Sequence, residues 1–135
     1  MAGNAKIWRL LDANANRARE GLRVIEDTAR FVLNKAEAAR ALRAIRHDLD
    51  GLVRAHYKTL LAHRDVKGDS GRTNGASRYH GEISELLAAN FKRCAEALRV
   101  LEEYGRILSS AAVKKAQALR FEVYHWEKKL FHDRS

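Results

Sequence analysis

One stretch of 21 residues occurs twice in this chain, and the second copy follows the first at an offset of 76 positions. LLDANANRAREGLRVIEDTAR, from Leu10 to Arg30, aligns with LLAANFKRCAEALRVLEEYGR, from Leu86 to Arg106, with identity at 11 of the 21 positions. A fixed internal offset is typical of a supersecondary unit that is used twice. The repeat therefore predicts a fold built from two copies of one unit.

Each copy has the apolar spacing of a helix with one buried face. Apolar residues follow one another at intervals of three, four and seven, and the chain contains no proline that would interrupt a helix. A capping box formed by Asn34 and Glu37 is expected to open the second helix, and Ser109 or Ser110 to cap the fourth. The predicted helices cover residues 5–33, 35–62, 82–108 and 110–131.

The predicted fold is all-α, an antiparallel four-helix bundle made of two duplicated helical hairpins joined by a long polar loop. We expect a single helical domain, residues 1–135, with repeat one at about 5–62, the loop at 63–81 and repeat two at about 82–132. The loop contains four glycines, three arginines and two aspartates. Loops of this length inside compact domains are usually functional or disordered.

The chain carries a formal charge of +9, and its basic residues are spread through every segment beside acidic ones. This pattern favours small polyanionic ligands such as nucleotides over nucleic acid, which typically binds to a clustered basic patch. The single cysteine, Cys94, cannot form an internal disulfide, which fits the reducing cytoplasm. Because no signal-peptide core or membrane-spanning apolar run occurs, we expect a cytoplasmic protein without a membrane partner.

Packing explains why two copies share leucines, but it does not explain the polar positions that they share. These pairs are Asn14/Asn90, Arg17/Arg93, Glu20/Glu96, Arg23/Arg99, Glu26/Glu102 and Arg30/Arg106. Asn14 falls within the apolar stripe and Arg17 on its edge, so we expect both to be at least partly buried. Such residues either fasten the two hairpins together or face a polar cavity that holds a ligand. For Glu20 and Arg23 a solvated face of helical ion pairs is the alternative.

Further candidates lie on the loop and on the second predicted helix. Asp65 and Asp69 are spaced so that two carboxylates could share Mg²⁺ through water, and solvated loop aspartates are the alternative. Arg46 and His47 lie side by side in mid-helix, where a surface position of His47 is the alternative to ligand binding. The chain contains no P-loop, nucleophile elbow, zinc or Rossmann motif. Any chemistry must therefore come from arginines and carboxylates.

Four segments, in chain order, resemble a known family. RLLDANANRAREGLRVIEDTARF, LRAIRHDL, HRDVKGD and AANFKRCAEALRVLEEYGR resemble the helical hydroxymethylpyrimidine phosphate kinase family of thiamine biosynthesis, which also occurs as the N-terminal extension of some bacterial thiamine-phosphate synthases. The resemblance implies transfer of the γ-phosphoryl group of ATP, with Mg²⁺ as cofactor, to hydroxymethylpyrimidine monophosphate. Since 135 residues leave no room for a (β/α)₈ synthase domain of about 250 residues, we expect the kinase-like module alone.

The repeat and the loop assign the individual site residues. We predict catalytic roles for Arg17, Arg23, Arg93 and Arg99, substrate binding by Asn14, Glu20, Asn90, Glu96, Arg46, His47 and Arg64, and metal binding by Asp65 and Asp69. Arginines suit this reaction because phosphoryl transfer depends on positioned cations. An acceptor phosphate whose second pKa is about 6 is already mostly deprotonated at neutral pH, so no general base is required to activate its attacking oxygen.

The sequence also allows a function of another class. A noncatalytic helical module could bind a thiamine-phosphate synthase partner or a pyrimidine phosphate without turning it over. Nucleic-acid binding is a further alternative, and it predicts an affinity that falls steeply with salt. The oligomeric state, with a homo-oligomer among the alternatives, and the half of the chain that binds ATP stay open.

Overall fold

The computed structural model describes residues 2–65, 81–108 and 110–132, and these residues are helical with short connections. They form five α-helices and one π-helical turn and contain no strand, which confirms the all-α prediction. The elements are α1 (Ala2–Asp27), the π-helical turn (Thr28–Val32), α2 (Ala36–Ala55), α3 (Tyr57–Ala62), α4 (Ile83–Leu108) and α5 (Ser110–His132). Within these described residues, no helix is long and apolar enough to cross a membrane.

The end of the first helix differs from the prediction. Asn34 adopts a left-handed backbone conformation with φ 54°, and it does not cap α2, because Lys35 occupies the N-cap position without a side-chain cap. The amide of Lys35 donates to the carbonyl of Ala29 at 2.8 Å across the turn. Asparagine tolerates this conformation, so Asn34 ends the preceding helix instead of starting the next one. The predicted capping box is therefore wrong.

The second predicted helix is interrupted at His56. The backbone there leaves the helical region at φ −124° and ψ 15°, which separates α2 from α3. The His56 ring lies 5.4 Å from the ring of Trp8 in α1, measured between centroids, and Leu60 of α3 is buried. The break thus allows α3 to pack against α1. The apolar spacing of the sequence does not indicate this tertiary contact.

The centre of the fold is the contact between α1 and α4. Gly21 in α1 lies so close to α4 that an added Cβ would be 3.2 Å from the carbonyl oxygen of Asn90 and 3.5 Å from Cβ of Cys94. Further towards the start of α1, Trp8 lines a cavity together with Leu108. The two helices therefore run antiparallel. The core around them is formed by buried aliphatic residues and Phe91, to which α2 contributes Leu42 and Leu49 and α5 contributes Leu119 and Val123.

Two buried carboxylates, one in α1 and one in α4, each join their helix to the helix that follows it. Glu26 accepts hydrogen bonds from Nε of Arg46 at 2.7 Å and from Nη2 at 3.4 Å. Glu102, which occupies the equivalent repeat position, accepts from Nε and Nη2 of Arg120, the latter at 3.0 Å. The hydrogen bond to Glu26 raises the pKa of the Arg46 guanidinium. These contacts explain why the repeat shares a glutamate at a position that packing alone would fill with an apolar side chain.

Candidate functional site

A polar groove follows the contact between α1 and α4, and we describe it as two lobes. The larger lobe is an open cleft of about 920 Å³ between the first turns of α1, the end of α4 and the residues that follow α3. Its polar and aromatic lining comprises Lys6, Arg9, Asp12, Asn14, Asn16, Arg17, Glu20, Arg64, Asp65 and Tyr104. Its size lies within the range of small-molecule sites, about 300–1,000 Å³.

The smaller lobe has a volume of about 380 Å³ and lies closer to the start of α4 than the larger lobe does. It is lined by Asn14 and Arg17 from α1 and by Ala89, Lys92, Arg93, Glu96, Ala97 and Val100 from α4. Because Asn14, Arg17 and Val100 line both lobes, these three residues form the junction between them. The two lobes of the α1–α4 groove therefore adjoin at these residues, and cationic side chains line each lobe.

The junction is held in place by Asn14. Its side-chain amide donates to the carbonyl of Leu10 at 2.9 Å, and its Oδ1 accepts a long hydrogen bond of 3.5 Å from Nη1 of Arg17. Asn14 is buried, as predicted, whereas Arg17 is exposed within the groove and is not partly buried as predicted. The long arginine stem explains the difference, since it carries the guanidinium from the edge of the apolar stripe to the mouth of the groove.

The connection after α3 is fixed to the rim of the larger lobe. Nε and Nη2 of Arg64 each donate to the Asp12 carboxylate at 2.7 Å, and Asp12 itself is buried. This bidentate contact raises the pKa of the Arg64 guanidinium. The neighbouring Asp65 carboxylate lies 3.7 Å from Nη2 of Arg9. Arg64 and Asp65 were predicted site residues, and the structure brings both to the same lobe as Arg17.

A side pocket of about 330 Å³ between α1 and α2 adjoins the larger lobe. It is lined by Asn16, Arg19, Glu20, Arg23, Arg46 and Asp50. Arg23 lies 3.4 Å from the carboxylate of Asp27, and Nε of Arg19 lies 2.6 Å from Asp50. Arg23 and Arg46 are therefore close to each other but lie outside the two lobes, in a network of ion pairs.

Other predicted residues do not reach the groove. Asn90 is buried against Gly21, and its side-chain amide donates to the carbonyl of Leu86 at 2.9 Å. Arg99 is exposed and lies 2.9 Å from the carboxylate of Glu103, and His47 is exposed on α2. Neither Arg99 nor His47 lines the two lobes or the side pocket. Asp69 lies outside the described residues.

Six polar or aromatic groove residues were not predicted from the sequence, namely Lys6, Arg9, Asp12, Asn16, Lys92 and Tyr104. None of them is shared between the two copies of the repeat. The helical register itself could have revealed Lys6 and Arg9, because they precede Ala13 and Arg17 on one face at intervals of three and four. A lone acid in an apolar stripe was the available signal for Asp12.

The carboxylates of the larger lobe determine how it could hold a cation. Within the described part of the chain, no group of three or more His, Cys, Asp or Glu side chains could hold a metal ion by itself. Asp12 accepts hydrogen bonds from Arg64, Asp65 lies beside Arg9, and Glu20 is the third acidic side chain that lines the larger lobe. Mg²⁺ is commonly bound by one or two carboxylates together with substrate phosphates. The lining therefore fits Mg²⁺ that arrives with a nucleotide.

The fold and the groove define an all-helical protein with an open groove that is lined by arginine side chains. The sequence matches the ThiD2 family over residues 9–129, and the chain belongs to this family. It is 41% identical over 126 residues to a thiamine-phosphate synthase of Nostoc punctiforme, an alignment that covers 92% of this chain and 35% of the relative. A thiamine-phosphate synthase of Rhodopirellula baltica is 37% identical over 126 residues, 91% of this chain and 34% of the relative.

The relation to these synthases is partial in length. A thiamine-phosphate synthase of Synechocystis sp. is 41% identical over 128 residues, which are 93% of this chain and 36% of the relative. The chain thus spans about a third of the length of the relatives that it matches. No solved structure matches the chain.

Proposed function

We propose that this chain is a kinase of thiamine biosynthesis that transfers the γ-phosphoryl group of MgATP to hydroxymethylpyrimidine monophosphate. One observation carries the proposal. The two adjoining lobes of the α1–α4 groove are lined by five cationic side chains of the long helices, Lys6, Arg9, Arg17, Lys92 and Arg93. The relatives are thiamine-phosphate synthases, which supports a role in thiamine biosynthesis. The cationic lining also suits phosphoryl transfer, because both substrates carry several negative charges that must be neutralised before the substrates can approach each other.

The reaction requires little from the protein beyond positioning and charge. An oxygen of the acceptor phosphate forms a bond to the γ-phosphorus of ATP, the bond between that phosphorus and the β–γ bridging oxygen breaks, and ADP leaves with the bond electrons. Since the acceptor is a phosphate monoester whose second pKa lies near about 6, its oxygen attacks without a general base. This fits a groove in which arginine, lysine and carboxylate side chains predominate.

Each part of the groove has a role in this scheme. Arg17, at the junction of the lobes, would contact the transferring phosphoryl group, while Asn14 orients the Arg17 guanidinium. Asp65 would hold Mg²⁺, together with phosphate oxygens, and Glu20 stays a proposed substrate-binding residue. Asp69 stays a proposed second metal ligand. The cation would withdraw charge from the triphosphate and so favour its cleavage.

The test is a coupled product assay with the purified protein. ATP, Mg²⁺ and hydroxymethylpyrimidine monophosphate should give ADP and the pyrimidine diphosphate in equal amounts, and ³¹P NMR should show the new diphosphate. Arg17→Met keeps most of the apolar stem and should lower kcat/KM by about 100-fold or more, because it removes charge stabilisation of the transition state. Arg106→Met, an exposed arginine of α4 outside the groove, is the matched control and should leave the rate unchanged. Absence of the diphosphate would refute the kinase.

The length of the match supports a second candidate, a noncatalytic module. In the synthase relatives the matching region is about a third of the chain, so this chain could bind a synthase partner or a pyrimidine phosphate without turnover. This alternative predicts that hydroxymethylpyrimidine monophosphate raises the melting temperature while MgATP alone does not. A kinase should be stabilised by each ligand, since each binds the folded state.

A further inference from the structure

We propose that the two lobes of the α1–α4 groove hold different substrates: the larger lobe holds the Mg-nucleotide, and the smaller lobe holds the phosphomonoester acceptor. This assignment rests on the proposed kinase function and adds which part of the groove serves which ligand. Three observations carry it, namely the balance of charge in each lobe, the size of each lobe and the difference between the two copies of the repeat.

The charge balance differs between the lobes. In the larger lobe the carboxylates Asp12, Glu20 and Asp65 accompany four cationic side chains. In the smaller lobe Glu96 is the acidic residue beside three cationic ones, and it lies 3.9 Å from Nζ of Lys92. A Mg-nucleotide brings its own cation and needs carboxylate ligands as well as arginines. A metal-free phosphate dianion instead needs an excess of cationic donors, which the smaller lobe supplies.

The size and the walls of the lobes agree with this assignment. At about 920 Å³ the larger lobe lies near the upper end of the range for small-molecule sites, and at about 380 Å³ the smaller lobe lies near the lower end. Tyr104 is 39% exposed in the larger lobe and offers an aromatic face on which a nucleobase could stack. The smaller lobe has Ala89 and Ala97 in its wall, and such small side chains leave room for a single ring.

The repeat shows why the nucleotide side is confined to one end of the groove. At the repeat positions that correspond to Lys6 and Arg9, the second copy carries Glu82 and Glu85. The start of α1 is thus cationic where the start of the second copy is acidic. Lys6 and Arg9 line the larger lobe and attract a triphosphate there, whereas Glu82 and Glu85 line neither lobe and give the smaller lobe no equivalent cations. The nucleotide therefore belongs to the half of the chain that contains α1.

Calorimetric binding of each ligand alone tests the assignment without any turnover. The probes are a nonhydrolysable ATP analogue with Mg²⁺ and hydroxymethylpyrimidine monophosphate. Lys6→Met should weaken the nucleotide analogue by about tenfold or more and change the affinity for the monophosphate by less than about twofold. Arg93→Met should do the reverse. Both side chains are exposed, so neither substitution is expected to unfold the protein, and circular dichroism checks this.

The outcomes separate this inference from the kinase proposal. The crossed pattern, with one ligand affected by each variant, supports the assignment. If Lys6→Met weakens the monophosphate and Arg93→Met weakens the nucleotide, the assignment is reversed and therefore wrong, although the kinase stands. If both variants weaken both ligands equally, the lobes are not separate sites and the inference fails. Binding of either ligand that neither variant alters also refutes it, whereas a wild-type protein that binds both ligands without forming diphosphate refutes only the kinase.

Discussion

The buried pair of Glu102 and Arg120 offers the sharpest test of how the helices are fastened together. The Glu102 side chain is 1% exposed and the Arg120 side chain 11% exposed. Arg120→Met would keep most of the apolar stem and would leave the carboxylate buried without its guanidinium. Breaking a buried ion pair in this way costs about 3–5 kcal/mol. This is a large share of the roughly 5–15 kcal/mol that stabilises a typical domain.

Urea denaturation at neutral pH measures the loss. With an m-value of about 2 kcal/mol/M, the midpoint for Arg120→Met should fall by roughly 1.5–2.5 M. Arg46→Met should have a smaller effect, because the Glu26–Arg46 pair is more exposed, at 8% and 16%. Arg99→Met is the matched control, since its partner Glu103 is exposed, and its effect should stay within about 0.5 kcal/mol.

The double variant Glu102→Met/Arg120→Met shows whether Arg120→Met destabilises the fold by leaving the Glu102 carboxylate buried without a partner or by removing a packing contact. Two apolar side chains of similar volume avoid the unpaired carboxylate, so stability should return to within about 1 kcal/mol of the wild type or exceed it. A loss below about 1 kcal/mol for Arg120→Met would contradict the reasoning. A double variant less stable than the single one would contradict it as well.

Two further predictions concern close packing and the buried thiol. Gly21→Ala should destabilise the fold by about 1 kcal/mol, because the new Cβ meets the Asn90 carbonyl. Gly105→Ala should be neutral or stabilising, because its Cβ meets a methyl group of Val113 that can shift. Urea denaturation of both variants measures the two effects. Burial raises the pKa of the Cys94 thiol to about 12. The stability that the protonated thiol contributes is therefore fully present below about pH 8.5, and it declines by up to about 1.4 kcal/mol per pH unit as the pH rises towards 12. Cys94→Ala should therefore show a flatter decline of stability above pH 9 than the wild type, and equal slopes would contradict the burial argument.

The long helices could be predicted from the sequence because their information is local. The predicted segments 82–108 and 110–131 agree with α4 and α5 within one residue at each end. The ends of the first hairpin could not be predicted in the same way. The π-helical turn at Thr28–Val32 and the break at His56 depend on how the chain packs back onto α1, and apolar spacing carries no information about this.

The site was predictable where the two copies agree and at Arg64 and Asp65, which the polar loop indicated. The shared residues Asn14, Arg17 and Glu20, with Arg93 and Glu96, lie in the groove because α1 and α4 present equivalent faces to each other. The shared positions of Asn90 and Arg99 serve the helix interface and a surface ion pair instead. Identity between the repeats therefore shows which residues occupy equivalent positions. It does not show whether a shared residue lines the groove or stabilises the fold.

Differences between the copies carry the complementary information about the groove. The shared glutamates Glu26 and Glu102 each fasten a long helix to the next one, so identity at this position has an architectural cause. Lys6 and Arg9, by contrast, are replaced by Glu82 and Glu85 in the second copy. A symmetric groove would offer the same charge at both ends and could not orient an asymmetric pair of anions. Because Lys6 and Arg9 line the larger lobe and the second copy supplies no cationic counterpart to them, we expect a triphosphate to bind in the larger lobe, which leaves Arg17 to face the point of transfer.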